Sequence, residues 1–288
     1  MRTVMRGHRL AAVALLVLAG CAGSGPQSEA EYHHDQQART HQRGTDAVLR
    51  GEYARAFSYY ESAYNQARAV EDSEAMGVNL LNMAALLHRS GEFAAARGRL
   101  LEVIGHDPPL AGAFVGRAEA RLALIELQSR RPAEAAQRAA SAEQHCTGAE
   151  CTWRPSLLNV QAAIFLQEND VAAAESRARE ALAAAVRGKD EREEAGARRT
   201  LAAVAARAGL QEESRSNWLA ALRIDRRIEA PERIVLDLLG LARLELDSGN
   251  RDAARTYARR AMEIAEGARL AAPAVAARAL LREAEQGQ

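Results

Sequence analysis

Cys146 and Cys151 flank Thr147-Gly148-Ala149-Glu150, and His145 stands directly before them. Two thiols this close can form a disulfide, remain free, or join His145 as ligands of a soft metal. The metal reading lacks a fourth ligand and the paired C-x-x-C spacing of most zinc sites. A disulfide around so short a loop contributes roughly 2 kcal/mol by chain entropy, enough to shape one connector. His33-His34-Asp35 with His41 is a second cluster. On a helix His34 and His41, seven residues apart, share a face; the same spacing suits a solvated first helix. The chain carries no G-x-S-x-G, H-E-x-x-H, G-x-x-x-x-G-K-[ST] or G-x-G-x-x-G motif. No catalytic set and no cofactor motif stands out, so an enzyme is not expected.

The elements that hold these residues are legible from a repeat. Arg50-Gly51-Glu52-Tyr53-Ala54-Arg55-Ala56-Phe57 returns one period later as Ser90-Gly91-Glu92-Phe93-Ala94-Ala95-Ala96-Arg97. Each is a glycine turn, an aromatic two residues on, and a small residue that opens an apolar helical stripe. Aligned turns fall at Gly51, Gly91, Arg130 or Arg131, Asn169, Gly209 and Gly249; with Arg130 the spacings are 40, 39, 39, 40 and 40 residues. A period this regular over six units marks a solenoid. Each unit reads as helix, turn, helix. Leu80, Met83, Ala84 and Leu87 lie on one face at helical spacing, Ser90-Gly91 breaks the helix, and Phe93, Ala96, Leu100 and Val103 carry the next. Asp107-Pro108-Pro109 then stops the unit, because proline cannot continue a helix. Pro273 can open one further helix, ending near Glu285, that caps the last apolar face.

Composition agrees. Apolar residues make up 48% of the 288 but aromatics only 4%; alanine fills the gap, and alanine, leucine, arginine and glutamate are strong helix formers. No β-branched alternation suggests a strand. The fold expected is all-α. Arg2, Arg6 and Arg9 are three of the 38 bases, so the chain beyond residue 20 carries 35 bases against 38 acids. Such a balance provides no long-range attraction for nucleic acid or anionic lipid.

Those three arginines precede the apolar run Leu10 to Leu18, too short to span a bilayer and suited to a cleaved leader. The run ends in Leu18-Ala19-Gly20-Cys21, which resembles the lipobox of bacterial lipoproteins, where cleavage precedes an acylated cysteine. The resemblance implies lipidation at Cys21. One acyl chain binds a membrane reversibly, at about 0.8 kcal/mol per buried methylene; the three of a mature lipoprotein make attachment lasting. By the lipoprotein sorting rule, Ala22 implies the outer membrane, with the protein facing the periplasm, rather than the inner membrane. Ala22-Gly23-Ser24-Gly25-Pro26-Gln27-Ser28 is a flexible tether. The expected organisation is a cleaved signal peptide over 1–20, the lipidated cysteine and tether over 21–30, and a helical solenoid over 31–288. In an exported chain, an oxidised Cys146–Cys151 pair is the first expectation.

The repeats resemble tetratricopeptide repeats. That family has small residues at one position of the first helix and two of the second. Here the first-helix position holds Gly44, Ala84, Ala123, Ala162, Ala202 and Ala242, and the second-helix pairs include Ala56 and Ala63, Ala135 and Ala142, and Ala254 and Ala261. The large residue between them is Tyr60, Leu100 or Trp218 in three units and alanine in the others. The period exceeds the family's usual 34 residues, which implies longer helices. The third turn, Ser129-Arg130-Arg131-Pro132, lacks glycine and suggests a joint between two halves.

The resemblance implies a right-handed superhelix whose first helices line a concave groove for extended peptides or partner helices. Groove positions are expected at Asn82, Arg89, Arg121, Asn159, Arg199, Arg207 and Arg243. Arginine forks bind carboxylates and asparagine bonds a peptide backbone, so the set suits an acidic or C-terminal peptide; solvated faces of amphipathic helices would look the same. Asn82 and Arg89 resemble part of a carboxylate clamp whose lysines are missing. The expected role is an envelope scaffold with a protein partner, of the pilus, secretin or barrel-assembly kind. The second reading is a lipoprotein that docks and regulates peptidoglycan synthases or hydrolases.

Overall fold

The computed structural model describes residues 29–148 and 151–286. These residues form thirteen α-helices, and no strand occurs among them. The leader, Cys21 and most of the tether lie outside the described residues. Helices pair as α1 (Glu29–Leu49) with α2 (Tyr53–Ala69), α3 (Ser73–Arg89) with α4 (Phe93–Ile104), and α5 (Gly112–Gln128) with α6 (Pro132–Gln144). They continue as α7 (Arg154–Gln167) with α8 (Val171–Gly188), α9 (Glu191–Arg207) with α10 (Gln211–Arg227), and α11 (Pro231–Asp247) with α12 (Arg251–Gly267), then α13 (Ala271–Glu285). The fold is an all-α solenoid of six helical hairpins and a capping helix.

The forty-residue period has a simple cause. The helices α9, α10, α11 and α12 are each 17 residues long, and each is followed by a three-residue turn. At 1.5 Å per residue such a helix is about 25 Å long. Inside every hairpin the turn centres on a left-handed residue: Gly51 (φ 73°), Gly91 (82°), Arg130 (59°), Asn169 (63°), Gly209 (75°) and Gly249 (80°). The third turn is therefore in register at Arg130. The following N–H bonds back across the turn, as in Glu52 N to Ala47 O and Asn250 N to Glu245 O. This is the Schellman closure that satisfies otherwise orphaned carbonyls. Four links between hairpins use the same closure around Glu71, Lys189, Glu229 and Arg269, all at positive φ. A side chain there costs about 1 kcal/mol or more, offset by the packing of both flanking helices. The other two links are longer. One runs through the cis Asp107–Pro108 bond, the other through Cys146 and Cys151, which are joined as a disulfide.

Small residues let the hairpins approach. Ala123, Ala162, Ala202 and Ala242 on first helices are fully buried, as are Ala56, Ala96, Ala135, Ala174 and Ala254 on second helices. Large aromatics are accommodated where glycine faces them. A Cβ on Gly44 would lie 2.7 Å from the Tyr60 ring, and one on Gly240 only 2.5 Å from Trp218. The N-terminal core is leucine-rich around Leu80, Leu81, Met83, Leu100 and Leu122. The middle depends on alanine contacts such as Ala162 with Ala178, and the C-terminal core gathers around Val235, Leu238 and Leu241. On the last hairpin, α13 buries Ala274, Ala277, Leu280 and Ala284 and turns Arg278, Arg282 and Glu283 outward. It begins two residues before Pro273, which sits in the first turn where its missing N–H is harmless.

Candidate binding face

The first helices of successive hairpins, α3, α5, α7, α9 and α11, stand side by side, and their outer stripe curves into a concave face. The closure is direct: Arg89, at the end of α3, donates from Nε to Glu232 Oε1 at 2.5 Å, at the start of α11. These residues are 143 positions apart. The Arg89 guanidinium also stacks 4.4 Å from the Tyr53 ring centroid. Both partners are half-buried, a setting in which an ion pair gains more than at an open surface.

Most of the expected groove residues act as stitches between adjacent first helices. Asn159 donates from Nδ2 to the Glu193 carbonyl at 3.1 Å and to Glu193 Oε2 at 2.8 Å. Arg207 donates to Asn169 Oδ1. Arg243 holds Glu283 through two 2.8 Å bonds. Arg121 donates to the Leu81 carbonyl. The spacings of 34 to 40 residues place each pair one hairpin apart. The Arg199 side chain, 16% exposed, donates to Asp225 and, at 3.1 Å, to Asp237, both fully buried. Asn82 is half-buried, and its amide makes no side-chain hydrogen bond among the described residues.

The Asp225–Asp237–Arg199 triad has two acids and one base. Burial is the main force that raises the Asp237 carboxyl to about 7; the Arg199 cation opposes it and the neighbouring Asp225 charge adds to it. Asp225 Oδ1 and Asp237 Oδ2 are buried without another partner, which a proton on Asp237 relieves.

Arg117, Arg192 and Arg233 were not singled out from the sequence, yet they share this face. Counted back from each hairpin turn, Asn82 and Arg121 stand at the ninth position and Arg89 and Arg207 at the second. Arg117 at the thirteenth, Arg233 at the sixteenth and Arg192 at the seventeenth continue the stripe toward the N-terminal half of the helix. Following the same spacing further back would have found them. Desolvation lowers Arg121 to about 10, with Arg117 adding repulsion and Glu193 opposing it. It also lowers Arg233 to about 10, with Arg199 and Arg192 adding to the effect, and lowers Arg117. All stay protonated at neutral pH. Arg121 is half-buried.

The other clusters resolve differently. His34 Nδ1 lies 3.5 Å from Asp72 Oδ2, while His41 bonds Asn79 Oδ1 at 2.9 Å and packs against Tyr60. No group of three or more His, Cys, Asp or Glu side chains able to hold a metal occurs among the described residues. No helix among them is long and apolar enough to cross a membrane.

No family model matches the chain, and no curated protein matches it in sequence. Solved structures do match in shape. The tetratricopeptide repeat sensor protein PH0952 of Pyrococcus horikoshii, a signal transduction ATPase, superposes with TM-score 0.60 at 14% identity, covering 88% of this chain and 37% of that one. PilW, a type IV pilus biogenesis factor, gives TM-score 0.53 at 16% identity, over 78% and 91% of the two chains. A Rap protein in complex with Competence and Sporulation Factor gives 0.63 at 14%, over 84% and 69%. At these identities the likeness is one of fold: the chain is a tetratricopeptide-like helical solenoid.

Proposed function

We propose that the protein is a membrane-anchored periplasmic scaffold that uses its concave face to hold a protein partner during assembly of an envelope complex. The observation that carries the reading is the face itself, five first helices presenting arginines, Asn82 and Asn159 across a curved groove that Arg89 and Glu232 close, with Tyr53 from the start of α2 stacked on Arg89. Lipidation at Cys21 rests on the Leu18-Ala19-Gly20-Cys21 signal, and Ala22 favours the outer membrane. The likeness in fold to PilW, over nearly all of that chain, favours pilus or secretin assembly among the envelope pathways.

The test is deletion of the gene and complementation with the wild-type or the Cys21→Ala chain. The wild type is expected to fractionate with the outer membrane and restore assembled pilus, secretin or barrel multimers. The Cys21→Ala chain is expected to leave the membrane fraction. A wild-type chain found in the cytoplasm, or multimers unchanged by the deletion, refutes the proposal. Altered cell shape or lysis with intact multimers transfers the assignment to control of peptidoglycan enzymes.

A further inference from the structure

The bridge between Arg89 and Glu232 differs in kind from the other stitches. Those at Asn159, Arg121, Arg207, Arg243 and Arg233 join neighbouring hairpins, at separations of 34 to 41 residues. Arg89 and Glu232 are 143 residues apart and bring the second hairpin against the sixth. No shared core stands behind them. Helix α3 packs on α2, α4 and α5 within the N-terminal cluster, and α11 packs on α10, α12 and α13 within the C-terminal one. Each charge also has a favourable setting without the other. Arg89 lies in the last turn of α3 and Glu232 in the first turn of α11, where the helix dipole favours a cation and an anion respectively. The Tyr53 ring gives Arg89 a partner on its own side of the groove. Arg233, next to Glu232, ties the start of α11 to the Arg192 carbonyl of α9, so Glu232 moves as its hairpin moves. The two long links, from α4 to α5 and from α6 to α7, both fall on the arc between Arg89 and Glu232. Neither uses the three-residue closure that fixes the other four links, and the arc can yield there.

From this arrangement we infer that Arg89 and Glu232 form an electrostatic latch, which holds the second and sixth hairpins together across the groove and releases to a wider form by bending at the two long links. A single half-buried ion pair with no packing behind it shifts the closed-to-open ratio by about two- to tenfold. That is enough to set the populations of two forms and too little to lock one. Salt screens such a pair and moves the balance toward the open form. Opening widens the concave face, so the latch governs access to the surface proposed above to hold the partner. That consequence rests on the scaffold reading; the latch itself does not.

The test is pulsed electron–electron double resonance on the full chain in detergent, with nitroxides attached through keto amino acids at Ala94 on α4 and Leu236 on α11, both exposed. At low salt the distance distribution should be dominated by one short peak. High salt, Arg89→Gln and Glu232→Gln should each move weight to a longer distance, raising the open-to-closed ratio about two- to tenfold. The double variant should add nothing to either single one. Arg243→Gln, which breaks the pair with Glu283 on the neighbouring first helix, should leave the distribution unchanged. A short peak that persists in both variants and at high salt overturns the latch, because curvature alone then closes the groove. A long distance alone in the wild type at low salt overturns it as well, and additive effects overturn the pairing of the two residues. No partner enters the measurement. A latch that opens, with multimer assembly independent of the chain, therefore refutes the scaffold role alone; one that does not, with assembly dependent on the chain, refutes the latch alone.

Discussion

Replacing Asp237 by Asn should remove a pH dependence of stability that the wild-type chain carries between pH 4 and 7. Burial beside Asp225 raises the folded-state pKa of Asp237 to about 7, against about 3.9 in the unfolded chain. Between those values the native state binds the extra proton and the unfolded state does not, so stability falls as pH rises, by about 1.4 kcal/mol per unit. Across the whole window this amounts to about 4 kcal/mol, and about 3 kcal/mol of it falls between pH 5 and 8. Asn at 237 has the shape and neutrality of the protonated acid and leaves Arg199 paired with Asp225 alone. Urea unfolding followed by circular dichroism at pH 5 and pH 8 gives the needed double difference. The variant should lose about 3 kcal/mol less than wild type on going from pH 5 to 8 and be the more stable protein at pH 8. An unchanged slope, or a variant less stable than wild type at pH 8, refutes the description of the triad as one base shared by two acids.

Three further outcomes follow from particular contacts. Gly240→Ala pushes a Cβ into the Trp218 ring; overpacking of about 1–3 kcal/mol outweighs the better helix propensity of alanine, and a Trp218→Leu background should abolish the loss in thermal melts. Arg215→Met strands Glu245, 4% exposed and held by a 2.7 Å bond from Arg215 Nε, at a cost of about 3–5 kcal/mol. Its carboxyl is held below the ordinary range chiefly by Arg215, so the wild type's advantage should shrink as pH falls through the carboxylate range, which denaturation at pH 3 and 7 would read. Cys146→Ser with Cys151→Ser should cost roughly 2 kcal/mol, with hydrogen exchange accelerating around the link from α6 to α7 and not in α11 or α12.

The sequence announced the hairpins because a left-handed turn centre leaves a mark. Gly51, Gly91, Gly209 and Gly249 are glycine because a Cβ is penalised at that φ, and counting between them yields the period. Glu71, Lys189, Glu229 and Arg269 occupy the same conformation with ordinary side chains, so the links between hairpins left no such mark. The buried small residues were equally legible, since close helix approach permits little else. The binding face was harder to read. Arg199, Arg207, Arg243 and Arg117 all sit on one helical stripe, and nothing local separates an arginine that ties two hairpins together from one that does not. That distinction depends on whether an acid stands one hairpin away, as Asp237 does for Arg199 and Glu283 does for Arg243.

The central claim is that the partner docks on the concave face, and site-specific photocrosslinking in cells tests it most directly. Photoreactive residues at Asn82 and Arg192 sample the groove, and residues at Arg187 and Arg226 on α8 and α10 sample the second helices. One envelope-assembly protein should be captured from Asn82 and Arg192 and be absent from Arg187 and Arg226. Capture from Arg187 and Arg226 alone contradicts it.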